Sequence, residues 1–223
     1  LVKETGGIHL DLRKLKIYPQ KLRQILQTGL PAGLQGVLFA LSNVAIQSSI
    51  NGFGEIILAG NSAAVNIEGF VYVAMNAFYQ ATTSFTSQNF GAGKLQRIVP
   101  ILLRAQLCVL VTGVFFGNLA AFAGPVLLRL YSSSPAVIIA GINRLQIISR
   151  TYALCGMMDV MVGALRGIGY SIMPMIVSLV GVCGLRLVWL ATFFQIPAYH
   201  TVQVVYWSYP LSWIITAAVH VFT

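Results

Sequence analysis

Charged residues are scarce in this 223-residue sequence, and acidic residues are the scarcest of all. Only 9% of the chain is charged, with five Asp and Glu in total, whereas soluble domains carry about 25% charged residues. Hydrophobic residues make up 57%, and the mean hydropathy is +0.80. This composition excludes an ordinary soluble domain and indicates an integral membrane protein that lies in a lipid bilayer.

Motifs for catalysis, metals and cofactors are also missing. The three cysteines are widely separated in apolar segments, which predicts neither a disulfide framework nor a zinc site. The three histidines lie at the ends of segments without an HExxH pattern, and GAGK lacks the earlier glycine of a phosphate-binding loop. We therefore expect no enzyme activity, no metal and no cofactor.

The net charge of +9 comes largely from the start of the chain. No aromatic-rich basic motif accompanies these residues, so we expect no nucleic-acid partner. Basic flanks of membrane spans mark the cytoplasmic side, which predicts a multi-pass protein of the cell (inner) membrane with a cytoplasmic N-terminus. Six of the fourteen basic residues precede the first span: Lys3, Arg13, Lys14, Lys16, Lys21 and Arg23.

Apolar stretches long enough to cross a bilayer recur along the chain and predict an all-α integral membrane fold, a bundle of six transmembrane helices. The helical pattern from Pro135 to Arg166 exceeds a hydrocarbon core of about 30 Å, so we place its first turns at the outer interface. Residues 1–29 form a polar lead-in, in which Pro19–Gln27 is either an amphipathic helix or a solvated turn. The predicted spans are 31–50, 62–85, 99–122, 145–165, 173–194 and 201–222.

The second span carries a polar stripe along one helical face, from Glu68 to Ser87. The first span carries polar residues at a seven-residue interval. Such side chains should face water or protein at membrane depth, which predicts a hydrated cavity; the alternative is that they hold helices together. The predicted cavity-lining residues are Gln35, Ser42, Tyr72, Asn76, Tyr79 and Thr83.

Two acids lie within the predicted spans, Glu68 and Asp159. Ionisable residues in a membrane are candidates for function, because their burial must be offset. Both are candidates for coupling to an ion. The alternative for Glu68 is a structural ion pair with Arg150 or Arg186, which we count at similar depth. The alternative for Asp159 is a hydrated residue at the inner vestibule.

Glycines mark both turns and helix contacts. Gly113 and Gly117 are spaced for close helix packing, and the first span has small residues at Gly29, Gly33 and Gly36. Two glycine-rich turns with basic residues are predicted on the cytoplasmic side. Their residues of interest are Gln88, Gly91, Gly93, Lys94, Arg166 and Gly167.

Four segments together resemble the multidrug and toxic compound extrusion (MATE) family. The similarity is to the second lobe of that family, and it covers most of the chain in order. The segments are GLPAGLQ at 29–35, AAVNIEGFVYVAMNAFYQATTSFTSQNFGAGK at 63–94, SSSPAVIIAGINRLQI at 132–147 and GALRGIGYSIMPM at 163–175.

The resemblance implies twelve spans in two lobes, of which this chain would be the C-terminal six, with residues 1–29 as the inter-lobe linker. Its partner would be the N-terminal lobe of the same transporter. The implied activity is export of cationic or amphipathic compounds in exchange for sodium ions or protons, by alternating access.

This sequence departs from the sodium-coupled branch of the family. Residues 30–50 contain no acid, and Phe39 stands about where one is expected. Asp159 lies about a turn beyond the usual aspartate, whose place is near Cys155. Two alternatives remain open: a lipid-linked oligosaccharide flippase of the same superfamily, and a non-transporting membrane assembly subunit.

Overall fold

Helices account for nearly all of the structure, a computed structural model that describes residues 16–222. Short 3-10 turns at Leu95–Arg97, Phe193–Gln195 and Pro197–Tyr199 lie between helices. A π-helical segment, Leu179–Gly184, joins α5 to α6 without interruption. The α-helices are α1 Pro19–Asn51, α2 Glu55–Gly91, α3 Ile98–Arg129, α4 Pro135–Gly167, α5 Ile172–Ser178, α6 Leu185–Ala191 and α7 Val202–Val221.

Five helical segments of the described part of the chain are long and apolar enough to cross a membrane. They are α1, α2, α3, the segment containing α5 and α6, and α7. Helix α4, as long as α1, is not among them; it carries Arg144, Arg150, Asp159 and Arg166, and it packs against α2, α3 and α7. Because its neighbours shield it from lipid, a polar helix is tolerated there. The fold is thus a six-span, multi-pass bundle, as the sequence predicts.

Four helices are longer than their predicted spans, among them α3, which was predicted to end at residue 122 and continues to Arg129. Helix α1 runs unbroken from Pro19 to Asn51, so residues 19–29 belong to the first spanning helix and not to a separate helix. Pro31 lies inside α1 and removes one backbone hydrogen bond, which does not end the helix. Helix α2 begins at Glu55, and α4 is continuous from Pro135. Residues 1–15 of the predicted linker lie outside the described residues.

Helix α4 contributes to both hydrophobic clusters of the bundle. One cluster joins α1, α4, α7 and the π-helical segment, and includes Ile46, Ile148 and Tyr206. The other joins α2, α3 and α4, and includes Met75, Val109 and Leu145. The functional side chains of α4 are therefore held from both sides by packed helices.

Glycines allow α3 and α2 to approach α4 closely. A Cβ at Gly113 would lie within 3 Å of Ala153, and a Cβ at Gly117 would overlap the carbonyl of Ser149. This confirms the predicted packing face of the third span. By contrast, nothing described lies within 4 Å of a Cβ at Gly29, Gly33 or Gly36, so these glycines make no helix contact within the described residues.

Two glycine turns end α2 and α4 in the same way. Gly93 has φ +70° and Gly169 has φ +95°, values that favour glycine. The amide of Lys94 donates to the Asn89 carbonyl, and the amide of Tyr170 donates to the Leu165 carbonyl, which satisfies carbonyls left free at the helix ends. We call this side of the bundle the Lys94 end, and the opposite side the Glu55 end.

Candidate functional site

A polar cavity of about 180 Å³ lies between α1, α2 and α4. We call it the Asp159 cavity, since that residue supplies its acidic group. It contains aromatic, amide and charged side chains in a part of the bundle flanked by apolar helices. The lining residues are Ala32, Gln35, Gly36, Phe39, Tyr72, Asn76, Tyr79, Gln80, Asp159, Val162 and Arg166.

Arg166 closes this cavity towards the Lys94 end. Its Nη1 donates to the Tyr79 hydroxyl at 2.6 Å, and its Nη2 donates to Gln35 Oε1 at 2.7 Å. These bonds connect the last turn of α4 to both α2 and α1. Arg166 was predicted as a loop residue, and the structure corrects this: it lies within α4 and its side chain lines the cavity.

Asp159 lies about two turns before Arg166 on the same helix and lines the same cavity. Within residues 16–222, its carboxylate has neither a hydrogen bond nor an ion pair. A partly buried carboxylate without a protein partner can receive a cation or a proton. Tyr72 and Tyr79 add two aromatic rings, which also favour cations.

A second polar cavity, of about 280 Å³, lies nearer the Glu55 end, and we call it the Glu68 cavity. Tyr72 lines both cavities and so stands between them. The second cavity is lined by Asn43, Gln47, Val65, Glu68, Gly69, Tyr72, Arg144, Ile148, Tyr152 and Tyr209.

Glu68 is held by Arg144 in a two-pronged ion pair. Arg144 Nε and Nη2 donate to the two carboxylate oxygens of Glu68 at 3.0 and 2.8 Å. Arg144 Nη1 donates to Asn61 Oδ1 at 2.8 Å, and Asn61 Nδ2 donates to Gln47 Oε1 at 2.9 Å. The network joins α4, α2 and α1 and satisfies both oxygens of the carboxylate.

The predicted partners of Glu68 were therefore wrong. The Arg150 guanidinium lies 5.3 Å from the Phe122 ring, on the exposed side of α4. Arg186 donates from Nε to Ser212 Oγ at 2.9 Å and lies over the Tyr209 ring. The prediction failed because the fourth span was drawn from residue 145, which excluded Arg144 from the candidates.

Four of the six predicted cavity residues line the Asp159 cavity: Gln35, Tyr72, Asn76 and Tyr79. Ser42 and Thr83 line neither cavity. Ser42 is buried on α1, and Thr83 donates to the Tyr79 carbonyl where α2 packs on Gly163. Helix contact, the alternative reading of polar residues, describes these two positions.

The glycine turns are structural features in this bundle. The loop prediction was wrong for Gln88, Gly91 and Gly167, because α2 extends to Gly91 and α4 extends to Gly167. Gln88 donates from Nε2 to Ser84 Oγ within α2. Lys94 is exposed, and Gly167 packs where a Cβ would meet Thr86. None of these residues lines either cavity.

No group of three or more metal-binding side chains is found in the part of the chain that the structure describes. The arrangement offers instead two polar cavities at membrane depth, one acid without a protein partner and one acid in an ion pair. Ionisable side chains at membrane depth mark substrate or ion pathways in membrane proteins.

A family model described as MatE matches residues 31–192, which include five of the six spanning helices. The chain belongs to the MatE family. MATE proteins are membrane transporters, and the chain therefore comes from a transporter family with no enzymatic members. The matched region includes Asp159, Arg166, Glu68 and Arg144, and it contains every lining residue of the two cavities except Tyr209.

Curated MATE relatives are similar in sequence over most of this chain. The probable multidrug resistance protein YpnP of Bacillus subtilis is 27% identical over 169 residues, which are 76% of this chain and 38% of that protein. The probable multidrug resistance protein NorM of Thermotoga maritima is 22% identical over 179 residues, 79% of this chain and 39% of that protein. The matched region thus spans about two fifths of the length of these relatives.

Solved MATE structures share the fold. A MATE transporter crystallised in complex with MaL6 superimposes with a TM-score of 0.87 at 20% identity, over 99% of this chain and 50% of that one. The Vibrio cholerae MATE transporter VcmN in the bent form gives 0.82 at 18% identity, over 96% of this chain and 48% of that one. The chain therefore spans about half the length of these solved structures.

Proposed function

We propose that this chain forms one six-helix lobe of a cation-coupled exporter of cationic or amphipathic compounds. The other lobe, the N-terminal one of the same transporter, would pack against α1, α2 and α4. The two lobes would rock about a shared cleft and expose it alternately to the two sides of the membrane. The membrane would be the cell (inner) membrane, with the basic Lys94 end in the cytoplasm.

The observation that carries this proposal is the Asp159 cavity. Its carboxylate has no hydrogen bond or ion pair in the described chain, and Tyr72, Tyr79 and Asn76 line the same cavity with two aromatic rings and an amide. A cationic substrate gains from both the charge and the aromatic faces. The same carboxylate can bind a sodium ion or a proton in exchange, so substrate and ion would compete for one site.

Glu68 is the weaker candidate for coupling. Both of its oxygens already accept hydrogen bonds from Arg144, whose third donor is taken by Asn61. Binding a sodium ion or a proton at Glu68 would require this pair to break. We therefore assign coupling to Asp159 and a structural role to Glu68.

The flippase alternative receives no support from the cavity. A diphosphate headgroup would need several free basic side chains. Arg166 supplies the cavity's cation, and it already donates to Tyr79 and Gln35. The cavity chemistry thus favours a cationic or amphipathic compound over a polyanionic lipid.

The test is ethidium efflux by the full-length transporter in proteoliposomes, driven in turn by a proton gradient and a sodium gradient. We expect Asp159→Asn to lower gradient-driven efflux at least about tenfold, because without the carboxylate the ion and the cationic substrate no longer compete for one site. Glu55→Gln, an exposed acid at the start of α2, is the matched control and should leave efflux unchanged. Normal efflux and normal ion dependence in Asp159→Asn would overturn the proposal.

A further inference from the structure

Arg186 on α6 is a buried cation that the proposed transport cycle does not use. Its exposed fraction is 5%. Its Nε donates to Ser212 Oγ at 2.9 Å, and Ser212 in turn donates to the Tyr209 carbonyl. The guanidinium carbon lies 4.0 Å from the centre of the Tyr209 ring and 5.6 Å from that of Trp213.

No acid compensates this charge within residues 16–222. The acids at membrane depth are Glu68 and Asp159; the first is paired with Arg144, and the second faces a different cavity together with Arg166. Neither forms an ion pair with Arg186. Because buried charges in proteins are nearly always paired, an isolated guanidinium at this depth calls for an anion.

The aromatic rings do not replace that anion. Rings stabilise a guanidinium through its two faces, whereas its N–H groups point outward in its own plane. Of the five N–H groups, the Nε–H is bonded to Ser212, and the structure gives the two Nη groups no acceptor among the described residues. An acceptor at the edge of the guanidinium would therefore complete the site.

The size of that acceptor is limited by how the site is enclosed. The residues of this lobe cover all but 5% of Arg186, which leaves room only for a small group to approach it. Tyr209 and Tyr152, which surround Trp213, also line the Glu68 cavity. That cavity gives water and small ions a route to the aromatic cluster, but larger groups would have to displace packed rings.

We propose that Arg186, fixed by Ser212 and flanked by Tyr209 and Trp213, binds one small inorganic anion such as chloride. The bound anion would neutralise the guanidinium at the contact between α6 and α7. This site is separate from the Asp159 cavity and does not depend on the proposed drug export. It predicts that the protein responds to halides at constant ionic strength.

Trp213 allows the site to be tested directly with iodide, a heavy halide that quenches tryptophan fluorescence on contact. Trp213 is 4% exposed, so random collisions with iodide in bulk solution should quench it only weakly and without saturation. We would titrate the full-length transporter with sodium iodide, replacing sodium gluconate at fixed ionic strength, and compare the wild type with Trp213→Phe. We expect a saturable quenching component in the wild type only, and we expect chloride to compete it away.

Variants at Arg186 and Arg150 complete the test. Arg186→Gln should remove the saturable component, and Arg186→Lys should weaken iodide binding by about tenfold or more, because an ammonium lacks the planar fork. Arg150→Gln, on the exposed side of α4, is the matched control and should bind as the wild type does. If Arg186→Gln does not fold, two results still test the proposal. Chloride must compete away the saturable quenching in the wild type, and that quenching must be absent in Trp213→Phe. Linear quenching that is identical in wild type and Trp213→Phe and insensitive to chloride would overturn the proposal.

Discussion

Arg144 and Glu68 form a two-pronged ion pair across α4 and α2, with N–O distances of 3.0 and 2.8 Å. The two residues are 4% and 3% exposed, so neither charge is solvated by bulk water. Because both hydrogen bonds must form at the same time, this pair fixes how α2 and α4 are rotated relative to each other. It lies beside the aromatic rings of Tyr206 and Tyr209, each 5.4 Å from the guanidinium carbon.

Breaking this pair from one side should destabilise the lobe strongly. Glu68→Gln leaves the Arg144 charge buried without a counter-charge, and the loss of one partner in such pairs costs about 3–5 kcal/mol. We expect a large drop in the thermal unfolding temperature of the detergent-solubilised protein, followed by circular dichroism. Glu55→Gln, an exposed acid on the same helix, should change it little.

Replacing both partners by apolar residues should recover much of that stability. A double variant, Glu68→Leu with Arg144→Met, removes both charges and leaves none uncompensated. Its unfolding temperature should exceed that of Glu68→Gln. Equal or lower stability of the double variant would show that Glu68 contributes through something other than the pair with Arg144.

The sequence predicts the polar stripe of α2 but not its partners. The spacing from Glu68 to Tyr79 is a local property of one helix, and it correctly indicates Tyr72, Asn76 and Tyr79 as cavity residues. Which arginine pairs with Glu68 depends on how far α4 is shifted along α2. That shift is set by tertiary contact at Gly60 and Gly141, where backbones meet closely, and hydropathy does not report such contacts.

Two further features of the helices cannot be predicted from the hydrophobic periodicity of the sequence. Pro31 predicts a boundary in a soluble helix, yet α1 continues through it, since neighbouring groups in membrane proteins compensate one missing hydrogen bond. The π-helical segment Leu179–Gly184 lies where Gly181 packs on Thr216 of α7. Its extra residue per turn is visible only in the backbone, although such segments are frequent near functional sites.

Cysteine accessibility distinguishes the cavity face of α2 from its packed face. In a background in which the three native cysteines are replaced, cysteines at Tyr72, Asn76 and Gln80 should react with a membrane-impermeant thiol reagent, since these positions line the Asp159 cavity. Cysteines at Val71 and Met75, which are buried among α3 and α4, should not. The measurement is labelled protein as a fraction of total, by mass spectrometry.

The same labelling can contradict the cavity assignment. Equal reaction at all five positions would mean that the face is not defined by helical packing. Absence of reaction at Tyr72, Asn76 and Gln80 in every conformation of the transport cycle would mean that the space between α1, α2 and α4 is not hydrated.

Gly117 should not tolerate even one added methyl group. A Cβ at this position would overlap the Ser149 carbonyl, which belongs to the backbone of α4 and cannot rotate away. Overpacking of this kind costs about 1–3 kcal/mol. Gly117→Ala should therefore lower the unfolding temperature.

Gly33→Ala on α1 provides the matched control for Gly117→Ala. Nothing described lies within 4 Å of its Cβ, and an alanine in a helix is favoured over glycine by about 0.5–1 kcal/mol. In the isolated lobe, stability should therefore stay the same or rise. If Gly117→Ala is as stable as Gly33→Ala, α3 and α4 do not approach each other as closely at Gly117 as the structure shows.

Arg166 is expected to hold α1 against the rest of the bundle at the Lys94 end. Its two donors bind Tyr79 on α2 and Gln35 on α1, and hydrogen bonds from a charged group contribute about 1.5–3 kcal/mol each when buried. Arg166→Gln should therefore let the first turns of α1 open more often. Backbone hydrogen exchange in peptides covering residues 28–40 should speed up on the order of tenfold.

Arg97→Gln, an exposed arginine at the same end, should leave exchange unchanged. Equal exchange in the two variants would show that α1 is retained by its apolar contacts with α6 and α7 and not by Arg166.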